Sequence, residues 1–286
     1  METALFKRTL KSRTERISLY FVTDLHIGHI NHDHKKLEKI KKIIKNDKDA
    51  MVIIGGDNVD GRMPDHKFFE LDNLDPSIKL NKFISNCYQR FEDFVSDLAP
   101  KVIGIHIGNH ELKVNKCFPY VENICNKFNC AYLGYRALSI LAIDSKNKSL
   151  IKNFRIFSTH GSGGGRKSGA KINRIEEEMM STSCDIYLQG HNHFLSYVPS
   201  VIQMPVRTCD KVIIHERPIA FVNGGSFLKS YQEGNYNYSE KNSYRPQVTG
   251  CVKLIIDCNN FKIDGKIITW KNYLRNLLIF LVLSIG

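Results

Sequence analysis

AMVIIGGDNVD, residues 50–60, is an apolar run that ends in two glycines and continues directly into polar side chains. A short apolar run that is rich in β-branched residues and bounded by glycine is typical of a buried strand. Four more segments repeat the arrangement, each with a polar cluster at its end: ISLYFVTDLH (17–26), VIGIHIGNHE (102–111), FRIFSTHG (154–161) and IYLQGHNH (186–193). We therefore predict an α/β protein in which the strand ends carry the chemistry.

The polar clusters contain side chains of the kind that bind metal ions. Because ligands gather at the carboxyl ends of parallel strands in α/β proteins, we expect these clusters to lie together. Imidazole mixed with carboxylate or amide oxygen suits Mn²⁺, Fe or Zn²⁺ better than Ca²⁺ or Mg²⁺. The set is large enough for two metal ions that share a carboxylate, an arrangement that can clamp a phosphoryl oxygen. Its members are Asp24, His26, Asp57, Asn109, His160, His191 and His193.

The spacing within the clusters supports this interpretation. Asp24 and His26 are two residues apart, so in extended chain both would face one side of the strand and could chelate one ion. His191 and His193 have the same spacing, and Asp57 follows a glycine pair that lets the backbone turn sharply. Each motif alone is also compatible with an ordinary turn or a surface pair. The occurrence of all five in order, each after a β-type run, favours a metalloenzyme.

Together the five motifs resemble those of the calcineurin-like metallophosphoesterase superfamily. The pattern of that family is D-x-H, G-D-x-x-D, G-N-H-[DE], H and G-H-x-H, and here it reads DLH, GDNVD, GNHE, STHG and GHNH. The resemblance covers residues 17–193, and the H-G-x-G-G-G sequence at 160–165 is similar to phage-type members. It implies a sandwich of two mixed β-sheets flanked by helices, an α/β/β/α arrangement.

The resemblance also implies a role for each residue of the motifs. Asp57 would bridge two divalent metal ions. His110 would be the catalytic histidine near the leaving-group oxygen, and Asp60 would hydrogen-bond to it and orient it. The first ion would be held by Asp24, His26 and His193, and the second by Asn109, His160 and His191.

The implied reaction is hydrolysis of a phosphate ester by direct attack of a metal-bridging hydroxide on phosphorus. We take Mn²⁺ as the first choice for both ions, with Fe, Zn²⁺ and Ni²⁺ as alternatives. His110 would donate a proton to the leaving group or stabilise its developing charge.

The charge of the chain bears on its substrate. Its 41 Lys and Arg residues against 29 Asp and Glu residues give a net charge of +12, which favours a polyanionic partner such as nucleic acid. A generally lysine-rich composition explains the charge equally well. We predict a phosphodiesterase or nuclease that acts on nucleic acid or a nucleotide.

Two alternative functions stay open. A phosphomonoesterase or protein phosphatase is disfavoured by the order Asp60-Gly61-Arg62, because the protein phosphatase branch reads G-D-x-V-D-R-G. A non-catalytic nucleic-acid-binding scaffold would have no need of a catalytic histidine such as His110.

Four residues near the motifs are candidates for contact with the substrate. A glycine-rich loop, residues 161–169, follows His160, and its backbone N–H groups together with Arg166 and Lys167 could bind an anion. The loop does not match the spacing of a nucleotide-binding P-loop, and the alternative is a loop that touches no substrate. Arg62 after the second motif and His29 after the first are the other two candidates.

Periodicity places the remaining elements. It predicts helices over residues 31–45, 76–99, 122–128 and 171–180, and a strand over 136–144. Short strands are predicted at 195–201, 211–215, 219–222, 247–256 and 261–268, and we expect them to complete the second sheet. Residues 223–246 are polar and tyrosine-rich, which predicts a long loop. We assign residues 1–270 to one domain and residues 271–286 to an apolar tail.

The tail and the cysteines give expectations about location and assembly. The apolar run at 277–283 is too short to span a membrane, which takes roughly 20 residues. It could pack on the core, contact a partner subunit or enter a membrane surface, and we expect packing on the core or self-association as a homo-oligomer. The eight cysteines form no C-x-x-C pair, and no signal-peptide pattern is visible. We therefore predict reduced thiols and a cytoplasmic protein.

Overall fold

The computed structural model describes residues 1–12, 15–61, 69–146, 151–232, 238–241 and 243–269. Within these ranges the strands form two six-stranded sheets. The strand order of sheet I is β1 (Glu2–Leu10), β6 (Arg136–Ser145), β7 (Ile151–Thr159), β8 (Ile186–Gln189), β10 (Lys211–Gly224), β9 (Leu195–Thr208). The strand order of sheet II is β12 (Lys262–Ile268), β11 (Cys251–Asp257), β2 (Arg16–Val22), β3 (Ala50–Ile54), β4 (Val102–Ile105), β5 (Ala131–Tyr132). Both sheets contain parallel and antiparallel neighbours.

The two sheets pack face to face around a shared apolar core. In β2, Leu19 and Phe21 point into this core with Phe154 of sheet I, while Tyr20 and Val22 point to the other face, as the alternation of a strand requires. That other face is covered by three helices: α1 (His34–Asn46), α2 (Phe83–Leu98) and α4 (Tyr120–Phe128). On the outer face of sheet I lies α5 (Ser168–Glu177). The predicted α/β/β/α sandwich is confirmed.

The helices follow the predicted apolar stripes, but their first residues differ from the prediction, since α1 and α2 begin later and α4 and α5 begin earlier. In α1, Leu37, Ile40 and Ile44 are buried on one side, and the Asp33 side chain caps the helix by accepting the backbone N–H of Lys36 at 3.3 Å. Two short helices complete the set, α3 (Leu112–Cys117) and α6 (Tyr238–Lys241). Single 3₁₀ turns occupy Leu71–Asn73, Leu80–Lys82 and Glu178–Met180. The helix predicted from residue 76 therefore begins at Phe83, and the one predicted over 171–180 begins at Ser168.

Several features of the sheets differ from the prediction, among them the two-residue strand β5, which was not predicted. The strand β1 has no predicted counterpart, because only Phe6 and Leu10 of its nine residues are buried. The strands after residue 193 do not all complete one sheet: β9 and β10 form a long hairpin in sheet I, and β11 and β12 belong to sheet II. An alternating pattern specifies a buried face but not the sheet to which a strand belongs.

Pro218 explains why β10 looks like two strands in the sequence. Pro218 interrupts the apolar run, yet β10 continues through this residue, and Pro218 lies opposite Val201 of β9. On its other side β10 meets β8 only from Ala220 onward. The missing N–H group of Pro218 therefore costs no ladder hydrogen bond to β8.

Some predictions concern parts of the chain outside the described residues. These are the apolar tail with the self-association expected of it, Arg62, and residues 233–237 and 242 of the predicted long loop. The assignment of residues 1–270 to one domain stays a prediction. No helix within the described ranges is both long and apolar enough to cross a membrane.

Asp47 joins α1 to sheet II at the amino-terminal edge of the strands. Its carboxylate accepts hydrogen bonds from Tyr20 Oη at 2.9 Å and from Lys253 Nζ at 2.6 Å. Burial alone raises the pKa of Asp47, but the bonds from Lys253 and Tyr20 outweigh burial and hold the pKa below its ordinary value. The ionised carboxylate therefore stabilises the fold above the pKa of an unfolded aspartate, about 3.9, and this contribution is lost as the pH falls through the folded pKa.

We expect Asp47→Asn to lower the free energy of unfolding by about 1–3 kcal/mol at pH 7, because charged hydrogen bonds are lost. Urea unfolding of both proteins, repeated from neutral pH down to about pH 2, measures the effect. The difference between wild type and variant should shrink at the acid end. An unchanged difference across the series would contradict this role for the carboxylate.

Candidate metal centre

The five polar clusters lie together at one end of the two sheets. They follow the carboxyl ends of β2, β3 and β4 in sheet II and of β7 and β8 in sheet I. Glycines allow the close approach, since a Cβ atom on Gly108 would lie 2.0 Å from Asp57 Oδ1 and one on Gly190 would lie 2.8 Å from Asp24 Oδ2. Any larger side chain at either position would push the loops apart.

The spacing of the motifs predicted an extended backbone, but the backbone of these loops is not extended. Asp24 and His26 have φ angles of 55° and 50°, in the left-handed region that non-glycine residues rarely adopt. Asp57, His191 and His193 share this conformation, with φ of 48°, 66° and 54°. Each such residue costs of order 1–3 kcal/mol, and such residues cluster at functional sites. The side chains therefore converge through turns and not through the alternation of a strand.

A first group of ligand-type atoms comes from the first and last motifs. His193 Nε2 lies 3.3 Å from Asp24 Oδ1 and 3.1 Å from His26 Nε2, and the third separation is 3.9 Å. Ligand bonds of 2.0–2.2 Å place neighbouring ligand atoms ~3.0 Å apart in an octahedron and ~3.4 Å apart in a tetrahedron. Two of the three separations fall in this range and the third is longer, so the three atoms could hold one metal ion after a small movement of the side chains.

A second group lies beside the first. His160 Nε2 is 3.3 Å from Asp57 Oδ2, 3.1 Å from Asn109 Oδ1 and 3.3 Å from His191 Nδ1. Asn109 Oδ1 is in turn 2.7 Å from His191 Nδ1. The backbone N–H of His26 donates to the carbonyl oxygen of Asp57 at 2.9 Å, so Asp57 lies beside the first group as well as in the second.

The protonation and hydrogen bonding of these groups fit a metal ion. Asp24 Oδ1 is buried and has no hydrogen-bond partner among the described residues, whereas Oδ2 accepts bonds from Thr23 Oγ1 at 2.6 Å and from the backbone N–H of His191 at 2.9 Å. His160 Nδ1 donates to the carbonyl of Gly55 at 2.9 Å, so Nε2 faces the second group. A cation between these atoms would satisfy the orphaned oxygen.

The pKa values of His26 and His160 are shifted in opposite directions. Burial, with His110 and His193 nearby, lowers the pKa of His26 well below its usual range, so its ring is neutral and can act as a ligand. Burial also lowers the pKa of His160, but the Asp57 carboxylate outweighs burial and raises the pKa to about 9. A metal ion must therefore displace a proton from His160, which makes its binding weaker at low pH.

His110 and Asp60 form a pair at the edge of the two groups. His110 Nδ1 donates to Asp60 Oδ1 at 2.6 Å, and its Nε2 lies 3.8 Å from Asp57 Oδ2. The backbone N–H of His110 donates to Asp57 Oδ1 at 2.9 Å. The ring contacts His26 edge to face, with centroids 4.8 Å apart. Asp60 thus holds the His110 ring so that Nε2 faces the two groups of ligand-type atoms.

Glu111, to which the sequence pattern assigned no role, connects two of the loops. Its side chain is fully buried, and its carboxylate accepts the backbone N–H groups of Asn58 at 2.6 Å, Val59 at 3.1 Å and Gly108 at 2.5 Å. Burial and the charge of Asp57 raise the pKa of Glu111 to about 7. The only sequence signal for this role was the acidic residue that closes the G-N-H-[DE] motif.

We expect Glu111→Gln to destabilise the protein by about 1–3 kcal/mol, because one carboxylate oxygen becomes an amide donor that faces backbone donors. Metal affinity should fall as well, since the loops that carry Asp57 and Asn109 lose their link. Thermal unfolding with and without Mn²⁺ measures both effects. An unfolding temperature equal to that of the wild type in both states would contradict this role for Glu111.

The predicted substrate contacts are less well placed than the candidate ligands. Arg166 and Lys167 are exposed on the glycine-rich loop between His160 and α5. His29 is buried, and its Nδ1 accepts the backbone N–H of Asn31 at 3.0 Å. The structure therefore places His29 in the interior, where its backbone also forms an antiparallel bridge with Leu74, and not on the surface. Arg62 lies outside the described residues.

The two-sheet fold and the two groups of ligand-type side chains support a metal-dependent phosphoesterase. The chain belongs to the calcineurin-like phosphoesterase family, whose model matches residues 17–195. No curated protein matches the sequence.

Several solved structures are similar in fold. One is a predicted phosphoesterase of Streptococcus pneumoniae, with 13% identity, coverage of 88% of this chain and 90% of that chain, and a TM-score of 0.38. Vacuolar protein sorting 29 of Cryptosporidium parvum shows 14% identity, coverage of 88% and 97%, and a TM-score of 0.38. GAP50, described as the anchor in the inner membrane complex of Plasmodium, shows 12% identity, coverage of 89% and 84%, and a TM-score of 0.47.

Proposed function

We propose that the protein is a metal-dependent phosphodiesterase that uses two divalent ions and acts on nucleic acid or a nucleotide. The observation that carries the proposal is the pair of adjacent ligand groups, because the buried Asp57 belongs to the second group and accepts through its carbonyl oxygen the backbone N–H of His26 in the first. The first ion would be held by Asp24, His26, Asp57 and His193. The second would be held by Asp57, Asn109, His160 and His191.

The donor chemistry of the two groups supports Mn²⁺ as the first choice, with Fe, Zn²⁺ and Ni²⁺ as alternatives. Imidazole nitrogens combined with carboxylate and amide oxygens suit these ions, and no cysteine belongs to either group. When bound, such a pair of ions lowers the pKa of a water molecule and offsets the charge of the phosphoryl oxygens.

The side chains of the protein supply the remaining steps. His110 holds a proton on Nε2, at the edge of the site where the leaving-group oxygen departs, and transfers the proton to that oxygen. Asp60 keeps the ring oriented through its bond to Nδ1 and stabilises the imidazolium form. No side chain is needed as a nucleophile, so no covalent intermediate with the protein forms.

Charge supports a polyanionic substrate. The net charge of the chain is +12, and Arg166 and Lys167 are exposed on the loop that directly follows His160. Cations beside a metal centre can hold phosphate groups adjacent to the one that reacts. This distribution favours a diester of nucleic acid over a small monoester.

The test is hydrolysis of bis(p-nitrophenyl) phosphate beside p-nitrophenyl phosphate, after the protein has been stripped of metal and reloaded with Mn²⁺. We expect metal-dependent cleavage with a higher kcat/KM for the diester. A higher value for the monoester would assign the protein to the phosphatases. Absence of turnover with two ions bound, together with DNA binding that survives chelation, would favour the non-catalytic scaffold.

A further inference from the structure

Lys171 lies between the glycine-rich loop and the last histidine motif. It stands in the first turn of α5, and its Nζ donates to the carbonyl of Asn192 at 2.9 Å, the residue between His191 and His193. Nζ also lies 5.7 Å from the centre of the Phe194 ring, within range of a cation–π contact. The ammonium group is thus held against the loop that carries two candidate metal ligands.

The acceptor of this bond is itself fixed in place. Asn192 Nδ2 donates to Asn223 Oδ1 at 2.7 Å, and Asn192 Oδ1 accepts the backbone N–H of Phe194 at 2.9 Å. Lys171 therefore binds to a rigid turn, so the position of its ammonium group is defined by the fold.

Lys171 lacks the acidic partner, or the set of several carbonyl oxygens, that stabilises three other partly buried lysines. Lys41 and Lys253 each pair with an aspartate at 2.6 Å, and Lys101 donates to three backbone carbonyls. Lys171 is half-buried, and no carboxylate of the described residues lies within ion-pair distance of it. An ammonium group has three donors, and among the described residues the hydrogen-bond partner of Lys171 Nζ is the carbonyl of Asn192 alone.

The surroundings of Lys171 are basic. Arg174, one turn further along α5, donates to the carbonyl of Ser162 at 2.7 Å and so holds the glycine-rich loop over the start of the helix. Arg166 and Lys167 are exposed on that loop. Burial lowers the pKa of Lys171, as expected for a cation that lacks a partner, and an anion beside it would offset this cost.

We propose that Lys171 binds a second phosphate group of the substrate, adjacent to the phosphoryl group that reacts at the metal centre. The inference rests on the proposed function and narrows the substrate class to compounds with neighbouring phosphates, such as oligonucleotides and end-phosphorylated dinucleotides. An ammonium group with two available donors beside a rigid turn can bind one phosphate through charge-assisted hydrogen bonds.

The test measures binding separately from hydrolysis. A His110→Ala background, in which turnover is slowed, is loaded with Mn²⁺ and titrated with thymidine dinucleotides that carry a terminal 5′-phosphate, a terminal 3′-phosphate or no terminal phosphate. We expect one phosphorylated form to bind about tenfold more tightly than the unphosphorylated form, the size of one charged hydrogen bond. Lys171→Met in the same background should abolish this preference, and Lys171→Arg should retain part of it.

Lys262→Met is the matched control, because Lys262 is an exposed lysine on β12, and it should keep the full preference. A preference absent from the parent protein, or unchanged in Lys171→Met, would overturn the inference. Loss of metal ions from Lys171→Met with an unchanged preference would assign the lysine to the support of the loop, and would overturn it as well. Failure of the wild type to hydrolyse any diester would contradict the proposed function but leave these binding ratios interpretable.

Discussion

Asp57→Asn should lower the kcat for phosphodiester hydrolysis by about 10³-fold or more and should remove at least one of the two metal ions. Asp57 is buried, and its Oδ2 lies 3.3 Å from His160 Nε2. Burial raises the pKa of this carboxyl, but the charges of His160 and His110 outweigh burial and hold the pKa well below its usual range. The amide of asparagine removes the negative charge that both ions would share.

The expected loss of kcat follows from a comparison with residues that only support a metal ligand. Loss of a residue that merely supports a metal ligand costs roughly 10–100-fold, so loss of a shared ligand should cost more. Elemental analysis and single-turnover hydrolysis measure the two effects. Asp47→Asn is a useful control, since Asp47 lies at the opposite end of sheet II and should leave both ions bound. Wild-type turnover in Asp57→Asn would exclude Asp57 as the bridge.

His110→Ala should lower kcat by about 10²–10⁴-fold while both metal ions stay bound, because loss of a general acid has effects of this size. The loss of kcat should depend on the leaving group if His110 transfers a proton to it. A nitrophenolate leaves without a proton, whereas an alkoxide needs one. The loss should therefore be much larger for a dinucleotide than for bis(p-nitrophenyl) phosphate.

Asp60→Asn should also lower kcat more for a dinucleotide than for bis(p-nitrophenyl) phosphate, but by a smaller factor than His110→Ala. His110 remains in this variant, and only its orientation by the bond to Nδ1 is weakened. An equal loss for good and poor leaving groups in His110→Ala would contradict proton transfer from this residue. Loss of metal ions from His110→Ala would instead assign the histidine to the ligand set.

The elements that position the site were the ones that could be predicted from the sequence. The strands β2 and β3 are buried along nearly their whole length, so their apolar runs are continuous. By contrast, Val206, Val212 and Ile214 lie in the exposed distal half of the β9–β10 hairpin. Because these apolar side chains are exposed, they indicate neither a buried face nor the sheet to which the hairpin belongs.

The sequence predicted which residues form the candidate site, but it did not predict their geometry. The order of the motifs named the side chains, but the left-handed backbone of Asp24 and His191 arises from the packing of loops from two sheets. Glu111 acts through backbone N–H groups of a distant loop, which no side-chain pattern reveals. Lys171 is defined by its contact with Asn192, and its spacing in the sequence gave no signal of that contact.

Anomalous diffraction from crystals of the protein loaded with Mn²⁺ tests the central claim most directly. We predict two peaks about 3.5–4 Å apart, with the carboxylate of Asp57 in contact with both. One peak should lie beside His26 and His193, and the other beside His160 and His191. A single peak, or two peaks that Asp57 does not join, would contradict the two-metal site from which the function is proposed.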